Sequence, residues 1–194
     1  MLSIIIPAKE PEPYLEQLVN DIDSTLSKDW AFEILIQREE GLTNAVLQGV
    51  KKANGNPIIV MDADGSHNPR HIPEMLKNYY FKEYDIVIGI KGEDNRGFYR
   101  RLITKLFALI SKKALGLEID DLSGFILVEK SLFKVVKPST DFKFILPLLY
   151  LNKSARVCMV KIDFKDRVIG SSKADLRQAL KIFRLIFYLK MKLY

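Results

Sequence analysis

Short runs of branched aliphatic residues alternate along this chain with longer stretches in which apolar positions recur every three or four residues. Leu2–Ile6 is a run of the first kind, stopped by Pro7, and predicts a strand. Leu15, Leu18, Val19, Ile22 and Leu26 then follow at helical spacing. Phe32–Gln37 predicts a second strand, and Leu42–Ala53 a helix that stops at Asn54-Gly55. Pro57–Met61 predicts a third strand, and a helix begins near Ile72-Pro73, where a first turn accepts proline. Asp85–Gly89 predicts a strand, Arg100–Leu115 a basic-apolar helix, and Ser123–Val128 a further strand. Strands alternating with helices imply an α/β fold, a mostly parallel sheet flanked by helices in a single domain. No internal repeat, low-complexity tract or linker interrupts the order.

Composition adds a charge asymmetry to this pattern. The 194 residues carry a net charge of +6. From Lys165 onward there are eight Lys/Arg against two Asp/Glu, so the whole excess lies in the C-terminal tail. On a helical wheel Arg177, Lys181, Arg184 and Lys192 share a face with Tyr188, while Leu176, Ala179, Leu180, Phe183, Ile186 and Phe187 cover the other side. That arrangement fits a basic amphipathic helix over 176–194 lying on an anionic membrane surface, or an ordinary core-packing helix with a solvated face. Helix Leu102–Leu115, with Lys105, Lys112 and Lys113, would dock beside it. No apolar run reaches the roughly 18–20 residues that span a bilayer, and the apolar start lacks a basic lead-in. The single cysteine, Cys158, excludes an internal disulfide and fits a reducing compartment. The expected location is therefore cytoplasmic, peripherally on the cytoplasmic face of a membrane. Nucleic acid is not an expected partner, because no nucleic-acid motif accompanies the basic residues.

The chemistry concentrates where the third strand ends. Asp62-Ala63-Asp64 places two carboxylates directly behind the apolar run, at the edge where parallel sheets bind ligands. Carboxylates so placed are costly unless they meet positive charge, and a divalent cation carrying a phosphate ligand supplies it. The alternative is an N-cap pair for the following helix. His67 and His71 are four residues apart; a capping or surface role suits them better than metal ligation.

Five motifs in order resemble a known family: Ser3-Ile-Ile-Ile-Pro7, Asp62-Ala-Asp-Gly-Ser-His67, Asp85-Ile-Val-Ile-Gly89, Asp121-Leu-Ser-Gly-Phe125 and Asp166-Arg-Val-Ile-Gly-Ser-Ser-Lys173. The chain is similar to the GT-A glycosyltransferases, whose sheet is Rossmann-like. Within them it looks most like the dolichyl-phosphate (polyprenyl-phosphate) mannose synthases. The resemblance covers residues 2–175. It implies inverting transfer of a sugar, mannose from GDP-mannose first and a UDP-sugar second, to dolichyl or polyprenyl phosphate. It also implies a Mg²⁺ or Mn²⁺ cofactor held by Asp62, Asp64 and Ser66, the last standing where many members carry Gln. Pro7, Ala8 and Glu10 match the nucleotide-contacting turn. Lys91, Arg100 and Arg101 match the basic positions for the acceptor phosphate. Asp121 and Ser123 match an acceptor-side segment, although Ile126 occupies a place where many members have Arg. Arg167 and Lys173, spaced by Gly170, match a loop closing over the phosphates.

The resemblance also implies roles. Asp64, Asp121 and Arg167 are the candidate catalytic residues. A phosphate monoester oxygen is already anionic near neutral pH, so positioning and charge stabilisation carry more of the rate than a general base. The chain departs from the family after the second strand. Phe32–Gln37 runs straight into Arg38-Glu39-Glu40-Gly41-Leu42, so a strand–helix segment with a pair of aspartates is missing, and Glu39 or Glu40 would have to substitute. Two other readings stay open: a transferase with a soluble or protein acceptor, and a non-catalytic nucleotide-sugar or lipid-binding relative.

Overall fold

A computed structural model describes residues 1–8, 13–92, 98–118, 123–138, 144–163 and 176–191, with backbone only for 98–105, 107 and 176–183. Its strands are β1 (Leu2–Pro7), β2 (Phe32–Gln37), β3 (Ile58–Val60), β4 (Ile86–Lys91), β5 (Ile126–Val128) and β6 (Val157–Ile162). Its helices are α1 (Leu15–Leu26), α2 (Leu42–Lys52), α3 (Ile72–Lys82), α4 (Phe98–Leu115), α5 (Ile145–Leu151) and α6 (Leu176–Met191). Short 3-10 stretches lie at Pro69–His71 and Lys130–Val135.

The strands form one sheet in the order β2-β1-β3-β5-β4-β6. Neighbours pair in parallel except β5, which is antiparallel to both β3 and β4. Central strands covered on both faces need apolar side chains at nearly every position, which explains the aliphatic runs of β3, β4 and β5. Ile5, Ile58, Val60, Ile86, Ile88, Ile126 and Val128 pack with α2, α5 and α6 on one face. Ile4, Ile6, Ile59, Met61, Val87 and Leu127 turn to the other face, against Leu18, Ile22 and Leu26 of α1 and Ile72, Met75 and Leu76 of α3. The two sets alternate because successive strand side chains point to opposite faces.

Most expected elements are present. Two were not foreseen. β6 reads Val-Cys-Met-Val-Lys-Ile with Val157 and Lys161 exposed, so this edge strand lacks a clean apolar run. α5 is seven residues long and buried almost throughout, which leaves no amphipathic period to read. α6 packs against α4 and α5 and buries Leu185, Ile186 and Leu189. Phe187, placed on the apolar side by the helical wheel, is instead 66% exposed. One residue is about 100° of helix, enough to carry Phe187 off the stripe that Ile186 buries.

Gly49 shows how closely α2 approaches β1. A Cβ at Gly49 would lie 2.6 Å from Ile5 Cγ2. Alanine gains up to about 1 kcal/mol in helix propensity, whereas overpacking costs about 1–3 kcal/mol. Ile5 is fully buried and its γ2 methyl is fixed to a branched carbon, so overpacking wins. Gly49→Ala is expected to lose about 1 kcal/mol, read as a lower urea midpoint; an unchanged or higher midpoint would show that the interface has slack.

Candidate functional site at the carboxyl edge of the sheet

The register collects the polar candidates at one edge. Ile5 pairs with Val60, and Val60 with Ile126. Two residues further along, the same register sets Pro7 beside Asp62 and Asp62 beside Gly124. β4 pairs Ile88 with Ile126 in the antiparallel sense, which carries Lys91 to the level of Ser123. Lys91 in turn pairs with Ile162, and Pro7 with Gln37. The antiparallel β5 thus contributes its amino end to the edge where all other strands contribute carboxyl ends. Pro7, Ala8, Asp62, Asp64, Ser66, Lys91 and Ser123 converge there.

The turn after β3 is organised around the two aspartates. Ser66 N–H donates to Asp64 Oδ1 at 3.0 Å, closing a short turn through Gly65 at φ 75°. A Cβ at Gly65 would lie 2.8 Å from the ring of Tyr14, so α1 roofs this turn closely. Asp62 N–H donates to His67 Nδ1 at 2.9 Å, and His67 Nε2 lies 3.8 Å from Asp62 Oδ2. His67 is 2% exposed and stacks on Phe125 with ring centres 5.2 Å apart. On the other side, a Cβ at Gly124 would sit 3.1 Å from both Asp62 carboxylate oxygens. Glycine therefore leaves the notch in which the carboxylate rests. Ser123 is buried, and its Oγ accepts from Phe125 N–H at 3.1 Å, which shapes this loop.

Among the described residues no three His, Cys, Asp or Glu side chains gather as a metal cage. The protein side of a metal site here is two carboxylates. That donor set fits Mg²⁺ or Mn²⁺, hard cations that keep waters and take phosphate oxygens rather than demanding a full protein shell. Asp62 is about one-third exposed and the Gly124 notch is open to it, so its oxygens can reach such an ion.

Neighbouring loops are tied to this edge. Ala8 N–H donates to Gln37 O at 2.9 Å. Gln37 is buried and its Oε1 accepts from Lys52 Nζ at 2.9 Å, while Lys52 also lies 3.6 Å from Glu39 Oε1. Glu39 Oε2 is buried with no hydrogen-bond partner among the described residues. Across the sheet, Asp163 N–H donates to His71 Nε2 at 3.1 Å, and Arg70 pairs with the Asp163 carboxylate. The segment after the Asp62–Asp64 turn is thereby fastened to the end of β6.

Several sequence candidates lie outside the described residues: Glu10, Asp121, Arg167, Gly170 and Lys173, and the side chains of Arg100 and Arg101. His67 corrects the expectation of a surface role, since Phe125 and Asp62 enclose it. His71 sits at the end of the 3-10 turn, where its Nε2 accepts from Asp163 N–H. Gly124 was missed as a site residue. Its signal, a glycine opposite the first aspartate, becomes visible only once β5 is known to run antiparallel.

Comparisons with known proteins agree with this geometry. The profile described as Glycosyl transferase family 2 matches residues 22–136. The dolichol-phosphate mannosyltransferase of Pyrococcus furiosus is 30% identical over 224 residues, covering 97% of this chain and 63% of the relative. That of Saccharomyces cerevisiae is 27% identical over 169 residues, covering 80% of this chain and 63% of the relative. The chain thus spans less than two-thirds of the length of these relatives. Glucosyl-3-phosphoglycerate synthase from Mycobacterium tuberculosis, solved with Mn²⁺, UDP-glucose and phosphoglyceric acid, shares the fold at TM-score 0.76 and 12% identity. That match covers 98% of this chain and 80% of the other.

Two measurements test the site. Gly124→Ala is expected to displace the Asp62 carboxylate and weaken Mn²⁺ binding by roughly tenfold in calorimetry; wild-type affinity would show that the notch is not needed. His71 must be neutral at Nε2 to accept from Asp163. Its pKa is held below the ordinary histidine value by burial first and by the charge of Arg70 second, with Glu74 opposing. A folded-state pKa below the unfolded one means that this stabilisation is complete above the unfolded value of about 6.5 and is lost as pH falls through the folded value. Thermal midpoints are therefore expected to drop on acidification below that value, and His71→Gln to flatten part of the slope. An identical slope in the variant would assign the acid sensitivity elsewhere.

Proposed function

The chain belongs to glycosyl transferase family 2, and from that premise we propose that it transfers a sugar from a nucleotide-sugar donor to a polyprenyl phosphate. The observation that carries this reading is the Asp62-Ala63-Asp64 turn, set at the carboxyl edge against the Gly124 notch with Lys91 at the end of β4. Two relatives named as dolichol-phosphate mannosyltransferases support a lipid phosphate as acceptor and mannose as the sugar. A third, the undecaprenyl-phosphate 4-deoxy-4-formamido-L-arabinose transferase of Pseudomonas aeruginosa, is 23% identical over 155 residues. It supports the polyprenyl phosphate and leaves the sugar open. GDP-mannose is the favoured donor and a UDP-sugar the alternative.

Asp62 and Asp64, with Ser66 beside them, would hold Mg²⁺ or Mn²⁺. Such an ion supplies Lewis-acid neutralisation of the charge that builds on a departing nucleoside diphosphate. Pro7, Ala8 and Glu10 would contact the nucleotide. Lys91 offers a point charge to a phosphate at the same edge. Arg100, Arg101, Arg167 and Lys173 would complete the cationic side, and Asp121 and Ser123 would border the acceptor. The acceptor phosphate attacks the anomeric carbon from the face opposite the diphosphate, so the configuration inverts.

The acceptor is lipid-borne, and the surface offers a place to meet it. Leu106 and Leu109 on α4 and Phe187, Tyr188 and Met191 on α6 are exposed, amid exposed Lys112, Lys113, Arg184 and Lys190. Apolar and cationic side chains together suit the surface of an anionic bilayer. Among the described residues no helix is long and apolar enough to cross one.

The test is transfer of radiolabelled mannose from GDP-mannose to polyprenyl phosphate in liposomes, run with Mn²⁺. Asp64→Asn is expected to lower the rate at least roughly a hundredfold, the several kcal/mol that such charge stabilisation is worth. Chelation should abolish transfer and Mn²⁺ restore it. Absence of transfer in the wild type across GDP- and UDP-sugars, or transfer indifferent to both treatments, would sink the proposal.

A further inference from the structure

We propose that His67 is the positioning residue of Asp62, pinning the aspartate by both its backbone and its carboxylate. The proposal rests on the reading of Asp62 as a metal ligand. One imidazole meets two groups of the same residue: Nδ1 accepts from the Asp62 N–H at 2.9 Å, and Nε2 faces Asp62 Oδ2 at 3.8 Å. A nitrogen that accepts a backbone N–H carries no proton, so the neutral ring has its hydrogen on Nε2, the side turned to the carboxylate. The second contact is longer than a hydrogen bond, but it keeps the polar edge of the ring 3.8 Å from the carboxylate in a buried place, where a dipole counts.

The ring itself has little freedom. It is 2% exposed and lies nearly parallel to Phe125, at 20° between planes. Phe125 is fully buried beside β5, so the stack connects the aspartate to the sheet core. Gly124 closes the other side of the carboxylate, a Cβ there falling 3.1 Å from each oxygen. Asp62 is therefore bordered by an imidazole edge on one side and a bare backbone on the other. Partners that orient a metal ligand in this way typically contribute 10–100-fold to metal affinity. Two aspartates one residue apart also repel, and the Nε2–H dipole offsets part of that repulsion at Asp62.

Two substitutions separate the contacts. Asn can place its Oδ1 where Nδ1 stood and keep the bond to the Asp62 N–H, losing the proton that faces the carboxylate. Gln can reach the Nε2 position with its amide N–H and restore that proton. Mn²⁺ affinity with GDP or UDP present, measured by electron paramagnetic resonance, is expected to fall roughly 10–100-fold in His67→Asn and to recover in part in His67→Gln. Equal, wild-type affinity in both variants would overturn the positioning role while leaving the metal site intact. No Mn²⁺ binding in the wild type would overturn the metal reading and this inference with it. A measurement on the wild type stands apart from folding of the variants. ¹⁵N correlation spectra of the imidazole, without and with Mg²⁺ and nucleotide, are expected to show the Nε2–H form in both states. A Nδ1–H form would contradict the assignment.

Discussion

The constraint on which this molecule depends is that its sheet is covered on both faces. Ile4 and Ile5, Ile58 and Ile59, Leu127 and Val128 are buried in pairs, one side chain to each side. The interiors of the central strands β3, β4 and β5 cannot then carry a charge without leaving it unpaired in an apolar layer. Polar chemistry is driven to the ends of the strands, and in a parallel sheet the carboxyl ends share one edge. Asp62, Lys91 and the Pro7-Ala8 turn stand together for that reason. Their proximity is a consequence of the core.

The antiparallel β5 modifies this rule in a productive way. Inserted between β3 and β4, it presents its amino end, Ser123-Gly124-Phe125, to the edge otherwise made of carboxyl ends. Each of the three residues meets the neighbourhood of Asp62 differently. Ser123 binds the backbone of its own turn, Gly124 leaves room for the carboxylate, and Phe125 supports the imidazole that faces it. A parallel strand in that place would have sent this tripeptide to the opposite edge.

The sheet and the place of the Asp62–Asp64 turn at its edge were legible because their signals are local. Branched aliphatic runs mark β1, β3 and β4, and two aspartates after such a run mark a ligand edge without any knowledge of neighbours. What escaped depends on partners distant in sequence. Gly124 and His67 have meaning only once β5 lies antiparallel beside β3, and no periodicity in residues 123–128 encodes a strand's direction. β6 escaped because one of its sides is wet, and α5 because both of its sides are dry. The basic helix was read as a wheel with two faces. Its packing against α4 and α5 chose the stripe of Leu185, Ile186 and Leu189, a choice that the partners make.

The two ends of the edge are built with unequal support. The Asp62–Asp64 turn is fixed by β3 at the centre of the sheet, by the Phe125 stack and by the His71–Asp163 tie to β6. At the other end β2 is the outermost strand, with Ile36 38% exposed, and it reaches α2 through only Arg38 to Gly41. The match to the Pyrococcus furiosus relative extends over 224 positions against 194 residues here, so at least 30 positions have no counterpart in this chain. Glu39 is a carboxylate of this corner. One of its oxygens faces Lys52 and the other is buried without a partner among the described residues. A buried acceptor in that state favours any ligand that brings a donor to it. The Asp62–Asp64 turn thus belongs to the part of the edge that the core holds, and Glu39 to an outer corner tied by Lys52 and by the Asn44 bond to Glu40 O. Changes in Arg38–Gly41 are expected to leave the Asp62–Asp64 turn undisturbed, because none of those four residues pairs with β3 or lies in the apolar core.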